Sequence, residues 1–177
     1  MGLLDRENQK YIIQWDDASQ SLHGIINNPE GKLIGKFNSV GILRKKIILF
    51  DIDKSVILIV SKSINALNTK YTIQDSNKTK LGNVGIIGFL KNVWVLRDDK
   101  GKLIIKVNRF DGIYDFHEFN TLDDESVADV GTDMNRKDVE FEYRSTLEIN
   151  NLDFNRKLIF GLVLAILGNR SDVSPSD

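Results

Sequence analysis

The side chains best suited to proton transfer in this chain are its two histidines, His23 and His117. An imidazole changes its charge near neutral pH, and a histidine beside a carboxylate is a common catalytic acid or base. His117 follows Asp115 by two positions and precedes Glu118, which makes a small-molecule hydrolase or isomerase one hypothesis. Neither histidine belongs to a metal-ligand motif, and no nucleophile elbow or phosphate-binding glycine loop accompanies them. We therefore expect a protein without catalytic residues, cofactor or metal.

Positive charge is most concentrated in the run Arg44-Lys45-Lys46, which directly precedes an apolar stretch. Lys32 and Lys36 join this run if the strands that carry them are neighbours. Ammonium and guanidinium groups bind phosphate, so these five cations are the predicted site for the anionic headgroup of a phospholipid. The alternative is that they are solvated charges that protect a strand edge from aggregation.

The segment Asp51-Ile52-Asp53-Lys54-Ser55 begins like a calcium-binding loop. It lacks the central glycine and the closing carboxylate that such a loop requires. We therefore interpret it as a surface turn.

Composition excludes several classes of protein. The 24 Lys and Arg residues balance 25 Asp and Glu residues, so no overall field attracts the chain to nucleic acid, and we expect no nucleic-acid partner. The absence of cysteine excludes disulfides, thiolate metal sites and cysteine nucleophiles. Because the chain shows no targeting segment either, we expect a cytoplasmic protein, peripheral to a membrane if it binds lipid.

Short strands separated by turn clusters occupy most of the sequence. From Val139 to Ile149 apolar and polar residues alternate, and only Ser145 interrupts the apolar side. This period of two predicts an antiparallel wall with one buried face. Turn formers precede strands in three related segments, which are 28–34, 75–81 and 98–104. We expect about ten to twelve strands, more than an open sheet of this length normally carries.

The last predicted element is a helix over residues 154–167, with Asp153 as its N-cap and Gly168-Asn169 at its end. Leu158 to Leu167 is apolar on every face of a helix, so the helix must be enclosed by protein or inserted into lipid. Its length of about 21 Å is short for a hydrocarbon core of about 30 Å. The sequence thus favours a mostly β fold, in which a closed antiparallel barrel of about twelve strands surrounds this hydrophobic C-terminal helix.

The order of elements resembles the tubby C-terminal-like superfamily, which includes tubby-like proteins, phospholipid scramblases and plant LURP-one-related proteins. The resemblance rests on repeated modules and on a terminal segment that leads into the helix. These are Tyr71–Asp75 with Lys80–Val84, Trp94–Asp98 with Gly101–Leu103, Phe116–Phe119 with Leu122–Val130, and Leu152–Leu158. It implies a twelve-stranded barrel threaded by its C-terminal helix. The phosphoinositide signature of tubby-like proteins and the proline-rich, cysteine-rich and calcium-binding segments of scramblases are not recognisable.

Residues 1–170 are accordingly predicted to form one tubby-like domain, with residues 171–177 as a flexible polar tail. The predicted function is that of a non-enzymatic intracellular binding module, which recognises a phospholipid headgroup or a protein partner on its outer surface. A membrane-associated protein whose C-terminal helix inserts in lipid is one alternative, and the enzyme based on His117 is another. The sequence does not determine the oligomeric state.

Overall fold

The computed structural model of the chain describes residues 2–16, 21–41, 46–63, 70–87, 93–110, 114–133 and 143–170. Within these residues the chain forms twelve β-strands and then one α-helix, α1, at Arg156–Arg170. The strands are β1 Lys10–Asp16, β2 His23–Asn27, β3 Leu33–Val40, β4 Lys46–Asp51, β5 Val56–Ser63, β6 Lys70–Asp75, β7 Lys80–Ile87, β8 Val93–Asp98, β9 Leu103–Phe110, β10 Tyr114–Asn120, β11 Ser126–Asp133 and β12 Tyr143–Ile149. The strand predicted from Val139 to Ile149 is present from Tyr143 as β12, and its first part, 139–142, lies outside the described residues, as does the predicted tail at 171–177.

The twelve strands form one closed antiparallel barrel in which each strand pairs with its neighbours in the sequence. The barrel closes between the first and last strands, where Tyr11 is opposite Leu147 and Trp15 is opposite Tyr143. Closure leaves no unpaired strand edge. The predicted fold class is confirmed.

Five hairpins share one turn geometry, and their turns all lie at the same end of the barrel, called the turn end below. In each turn the first residue donates its amide to the carbonyl of the fifth, and the fourth donates its amide to the carbonyl of the first. The fourth residue has a positive φ in every case. A one-residue register shift accompanies each turn, so the hairpin is a repeated structural unit. The turns are Asn28–Lys32, Asp51–Ser55, Asp75–Thr79, Asp98–Lys102 and Thr121–Glu125.

The inner faces of the strands and α1 form one core. The side chains from Leu158 to Leu167 are at most 7% exposed. Phe160 packs edge to face on Tyr11 of β1, with ring centroids 5.0 Å apart. A Cβ on Gly161 would lie 2.5 Å from Ile73 of β6, so the helix passes very close to this strand. Contacts on different sides of the barrel confirm that α1 is its central element.

The start and end of α1 differ from the prediction. Asn155 is the N-cap, because its Oδ1 accepts the amide of Lys157 at 3.0 Å and its carbonyl accepts the amide of Ile159. Asp153 instead donates its amide to Asn151 Oδ1 in a preceding turn. The helix also continues through Gly168 to Arg170, so the predicted end was wrong. Within the described ranges, no helix has the length and apolar character of a membrane span.

The N-terminal segment, residues 2–9, covers the turn end and is held by a buried arginine. Arg156 donates to the carbonyls of Arg6 and Asn8 and to the hydroxyl of Tyr11. Tyr11 in turn donates to the carbonyl of Leu3 at 3.0 Å, and the Leu3 side chain is completely buried. Arg156 is the first residue of α1, where the positive end of the helix dipole disfavours a cation. The hydrogen bonds to the carbonyls must therefore stabilise the buried guanidinium group.

Candidate functional site

His117 lies inside the barrel on β10 and is 3% exposed. It is opposite Arg109 of β9, whose Nε donates to Asp115 Oδ1 at 3.2 Å. The Nδ1 atom of His117 is 3.8 Å from the same carboxylate oxygen. Glu118 belongs to the outward-facing set of β10, so the structure brings His117 together with Asp115 and separates it from Glu118.

A second set of buried polar side chains lies next to this group. Trp15 Nε1 donates to Ser145 Oγ at 3.1 Å, and Ser145 Oγ lies 2.9 Å from Thr132 Oγ1. Thr132 is on β11, opposite Asp115 of β10. Ser145, which interrupts the apolar pattern of its strand, therefore satisfies a buried indole N–H. This role is structural.

The space beside His117 is too small for a substrate. A cavity of about 10 Å³ separates its strand from the C-terminal half of α1. It is lined by His117, Phe119, Val130, Thr132, Val163, Ile166 and Leu167. Such a volume holds about one water molecule, whereas small-molecule sites usually measure roughly 300–1,000 Å³. The cavity therefore lends no support to an enzyme that uses His117.

His23 is on the outer part of β2, where its Nε2 lies 3.2 Å from Asp16 Oδ2. Its side chain is about half exposed. The two histidines are thus on different faces of the wall and do not form a common site.

The described members of the predicted cationic site lie along one part of the outer wall. Lys36 of β3 is opposite Phe50, and Lys46 of β4 is opposite Val40, which places them four register positions apart. Lys32 is in the β2–β3 turn, at the other end of β3 from the position of Lys46. The described residues of the group therefore extend along the barrel and do not converge. Arg44 and Lys45 lie outside the described residues.

The turn Asp51–Ser55 has the same backbone hydrogen bonds as the other four turns. Asp53 accepts the amide of Ser55 at 2.8 Å, and hydrogen bonds from the side chain and backbone of Ser55 lower the pKa of its carboxyl. A carboxylate that is engaged in this way stabilises the turn. In the part of the chain that the structure describes, no group of three or more His, Cys, Asp or Glu side chains could hold a metal ion.

Two cations from strands next to the turn Asp98–Lys102 donate to its backbone, an arrangement that the sequence did not predict. Lys80 of β7 donates from Nζ to the carbonyl of Asp99 at 3.1 Å, and Arg97 of β8 donates from Nη1 to the carbonyl of Gly101 at 3.3 Å. Two further lysines belong to the turn itself. We call these four residues the turn cation group: Lys80, Arg97, Lys100 and Lys102.

The carboxylate of Asp98 is engaged within the turn. Asp98 Oδ1 accepts the amides of Lys100 and Lys102 at 3.0 and 2.8 Å. The turn and its flanking residues thus carry four cations and two carboxylates, and the carboxylate of Asp98 already binds backbone N–H groups. The members are separated by up to 22 positions in sequence, so only the pairing of β7 with β8 reveals the group.

No protein-family model matches the chain, and no curated protein matches its sequence. Among solved structures, the barrel is similar to an X-ray structure of a protein from Arabidopsis thaliana, with a TM-score of 0.60. The two sequences are 12% identical, and the alignment covers 95% of this chain and 97% of the Arabidopsis chain. At this identity the similarity shows a common fold over nearly the whole length and says nothing about ligand or activity.

Proposed function

We propose that this protein is a non-enzymatic binding module of the tubby-like type, which binds the phosphorylated headgroup of an anionic phospholipid on its outer surface. The turn cation group carries the proposal, because Lys80 and Arg97, from two hairpins, hydrogen-bond to the exposed turn that carries Lys100 and Lys102. Phosphate oxygens bind well to such a combination of lysines and an arginine.

The filled interior supports an outer site. Leu162, Ala165 and the other side chains from Leu158 to Leu167 occupy the space that an empty barrel would offer to a ligand. Burial of one large apolar side chain contributes roughly 1.5 to 3 kcal/mol. Withdrawal of α1 into a bilayer would expose the inner faces of all twelve strands, so the barrel disfavours the alternative in which this helix inserts.

An exposed apolar side chain lies at the same end of the barrel. Ile52, at the tip of the turn Asp51–Ser55, is 52% exposed. Lys78, in the turn between this one and the turn cation group, is also exposed. An aliphatic tip beside lysines is a common combination at a membrane surface, where the cations bind phosphate and the tip contacts acyl chains.

Flotation with phosphatidylcholine vesicles, with and without a phosphoinositide, tests this function. We expect the protein to float only with the phosphoinositide vesicles. In the variant Lys100→Glu with Lys102→Glu, the bound fraction should fall at least roughly tenfold, since each basic residue near an anionic surface contributes about 1 kcal/mol. The matched control is Lys36→Glu with Lys46→Glu, which reverses two lysines on a different part of the wall.

Three outcomes are decisive. Equal recovery with both kinds of vesicle would contradict headgroup recognition. Loss of binding in the control alone would place the site at the predicted lysines of β3 and β4. Unchanged binding in both variants would exclude both cationic surfaces.

A further inference from the structure

Arg156 is a buried cation whose hydrogen-bond acceptors, within the described part of the chain, are all neutral. It is 6% exposed and donates to the carbonyls of Arg6 and Asn8 and to the hydroxyl of Tyr11. Its Nε atom is buried and has no hydrogen-bond partner among these residues. Buried charges are normally paired, and the first turn of a helix favours an anion. The position of Arg156 therefore has the chemistry of an anion site that neutral carbonyls fill.

An apolar site, which the N-terminal segment also fills, lies next to this cation. The Tyr11 hydroxyl is 3.0 Å from the carbonyl of Leu3 and accepts a hydrogen bond from Arg156, so one hydroxyl joins Leu3 to the guanidinium. The Leu3 side chain is completely buried in the core, where a Cβ on Gly35 would lie 3.2 Å from its Cδ2. Leu4 is partly buried against the same core. Withdrawal of the segment would thus leave an apolar cleft that ends at a guanidinium.

Most of the N-terminal segment can leave without disturbing the strands. Pairing of β1 with its two neighbours begins at Lys10 and at Ile12. Residues 2–8 form turns and belong to no strand or helix. Segments with few buried side chains open at a fraction of the free energy of global unfolding. Within residues 2–8 only Leu3 and Asn8 are buried, so we expect this segment to open while the barrel stays folded.

The composition of the N-terminal segment indicates the ligand that replaces it. Leu3 and Leu4 supply two alkyl groups, and Asp5 supplies a carboxylate. Burial raises the pKa of the Tyr11 phenol, Arg156 opposes this rise and the Asp5 carboxylate adds to it, so Asp5 lies near the same hydroxyl. A molecule with an alkyl chain and a carboxylate reproduces both parts of the segment. Its charge also interacts with a guanidinium more strongly than neutral carbonyls do.

We propose that the cleft beneath the N-terminal segment binds a medium-chain fatty acid as its anion. The carboxylate accepts hydrogen bonds from Arg156, and the alkyl chain takes the places of the Leu3 and Leu4 side chains. Two leucine side chains correspond to a chain of about eight carbons. The N-terminal segment is then an internal competitor, because the protein binds the ligand only in the fraction of molecules in which the segment is open.

Isothermal titration calorimetry with octanoate tests this site. Acetate, which lacks the alkyl chain, and 1-octanol, which lacks the charge, are the matched probes. We expect octanoate to bind and both matched probes to give no measurable heat. Hydrogen exchange of the amides of residues 3–8 should become faster in octanoate, with the strand amides unchanged, because the ligand displaces the segment. No binding of octanoate, equal binding of a matched probe, or unchanged exchange in the segment would each overturn the proposal.

Two variants that both loosen the N-terminal segment have opposite expected effects on affinity. Leu3→Ser removes an anchoring side chain and retains the cation, so the Kd of octanoate should fall roughly tenfold. Arg156→Gln removes the cation, so the Kd should rise roughly tenfold or more. Leu152→Ser changes an exposed leucine directly before α1, and as the matched control it should leave the Kd unchanged.

Circular dichroism melts establish that each variant is folded. If Arg156→Gln does not fold, Leu3→Ser and the exchange measurement still decide, since neither needs that variant. An unchanged Kd in Leu3→Ser would overturn the competition by the segment, and full octanoate binding in Arg156→Gln would overturn the carboxylate site. No variant changes the turn cation group, so this experiment and the flotation experiment fail independently.

Discussion

At the scale of single residues, Tyr11 shows how the barrel holds a polar side chain in its core. Its hydroxyl lies 3.0 Å from the carbonyls of both Leu3 and Asn8, which share its single proton as acceptors, and it accepts a hydrogen bond from Arg156. Burial raises the pKa of this phenol, and the neighbouring Arg156 guanidinium opposes the rise only in part. The folded protein therefore retains the phenolic proton more strongly than the unfolded chain does.

We predict that stability decreases at alkaline pH partly through Tyr11. Because its pKa is higher in the folded state, its contribution is fully present below about pH 10, the unfolded value, and is lost as pH rises through the folded pKa. Urea unfolding between pH 8 and the alkaline limit measures this loss. Tyr11→Phe should be less stable at pH 8 and should show a flatter decline above pH 10. An equal decline in both proteins would exclude Tyr11 as the source.

Gly161 permits the close approach of α1 to β6. A Cβ at this position would lie 2.5 to 2.8 Å from three atoms of Ile73. Overpacking of this kind costs roughly 1 to 3 kcal/mol, against about 1 kcal/mol gained from the helix propensity of alanine. We expect Gly161→Ala to lower the free energy of unfolding, and Gly85→Ala, which meets no atom within 4 Å, to leave it nearly unchanged. A stabilised Gly161→Ala protein would contradict this packing.

At the scale of elements, the sequence predicts a helix where α1 lies, but the first and last residues of α1 differ from the predicted ones. Asp153 and Asn155 are both good N-cap residues, and the sequence does not rank them. The structure selects Asn155 because Asn151 engages the amide of Asp153 in the turn before the helix. At the other end, a Cβ on Gly168 would lie 2.6 Å from Ile47 of β4, so Gly168 packs against the barrel wall. The helix does not end at this glycine and continues to Arg170.

The burial of α1 makes a direct prediction for its leucines. Leu162→Asp should prevent soluble expression of the domain, because Leu162 is 0% exposed in the hydrophobic core and burial of a carboxylate there is very unfavourable. Leu152→Asp is the matched control, since Leu152 precedes α1 and is 38% exposed. Soluble yield and the thermal transition measure the difference. A Leu162→Asp protein with an unchanged transition would show that the helix is not the core.

The five turns have the same backbone geometry, although their sequences differ. Gly31 and Gly101 have positive φ values, as their positions in the sequence predict. Lys54, Lys78 and Asp124 adopt the same conformation without glycine. The sequence predicts the repeat at three turns, two with this glycine and one, Asp75–Thr79, without it, whereas Asp51–Ser55 is predicted only as a surface turn. Backbone hydrogen bonds, which do not depend on side-chain type, reveal all five.

At the scale of the whole molecule, the barrel joins the two ends of the chain. Pairing of β1 with β12 brings together residues more than 120 positions apart, and Arg156 attaches the N-terminal segment to the start of α1. Few of these contacts can form before the others, so we expect cooperative unfolding. Tryptophan fluorescence and far-ultraviolet circular dichroism should give the same urea midpoint. Two separate midpoints would show that part of the barrel unfolds alone.

The candidate sites were less predictable than the fold. The predicted cations at Lys32, Lys36 and Lys46 follow from local charge density, and whether they bind a headgroup stays a prediction. The turn cation group combines residues from two hairpins, and its position depends on the register between β7 and β8. A shift of one residue would turn every side chain of a strand to the other face.

The sequence by itself determined the one-sided strands, the wholly apolar helix and therefore a barrel closed around it, because burial of apolar surface follows from residue type and period. It also determined that chemistry based on cysteine or on a metal-binding histidine motif is absent from the chain. Only the tertiary structure decided that His117 adjoins space for a single water molecule, that five turns share one geometry, and that Lys80 and Arg97 donate to the same turn. These properties depend on distances between strands, and such distances are set by pairing register and by the close contact of α1 with the wall.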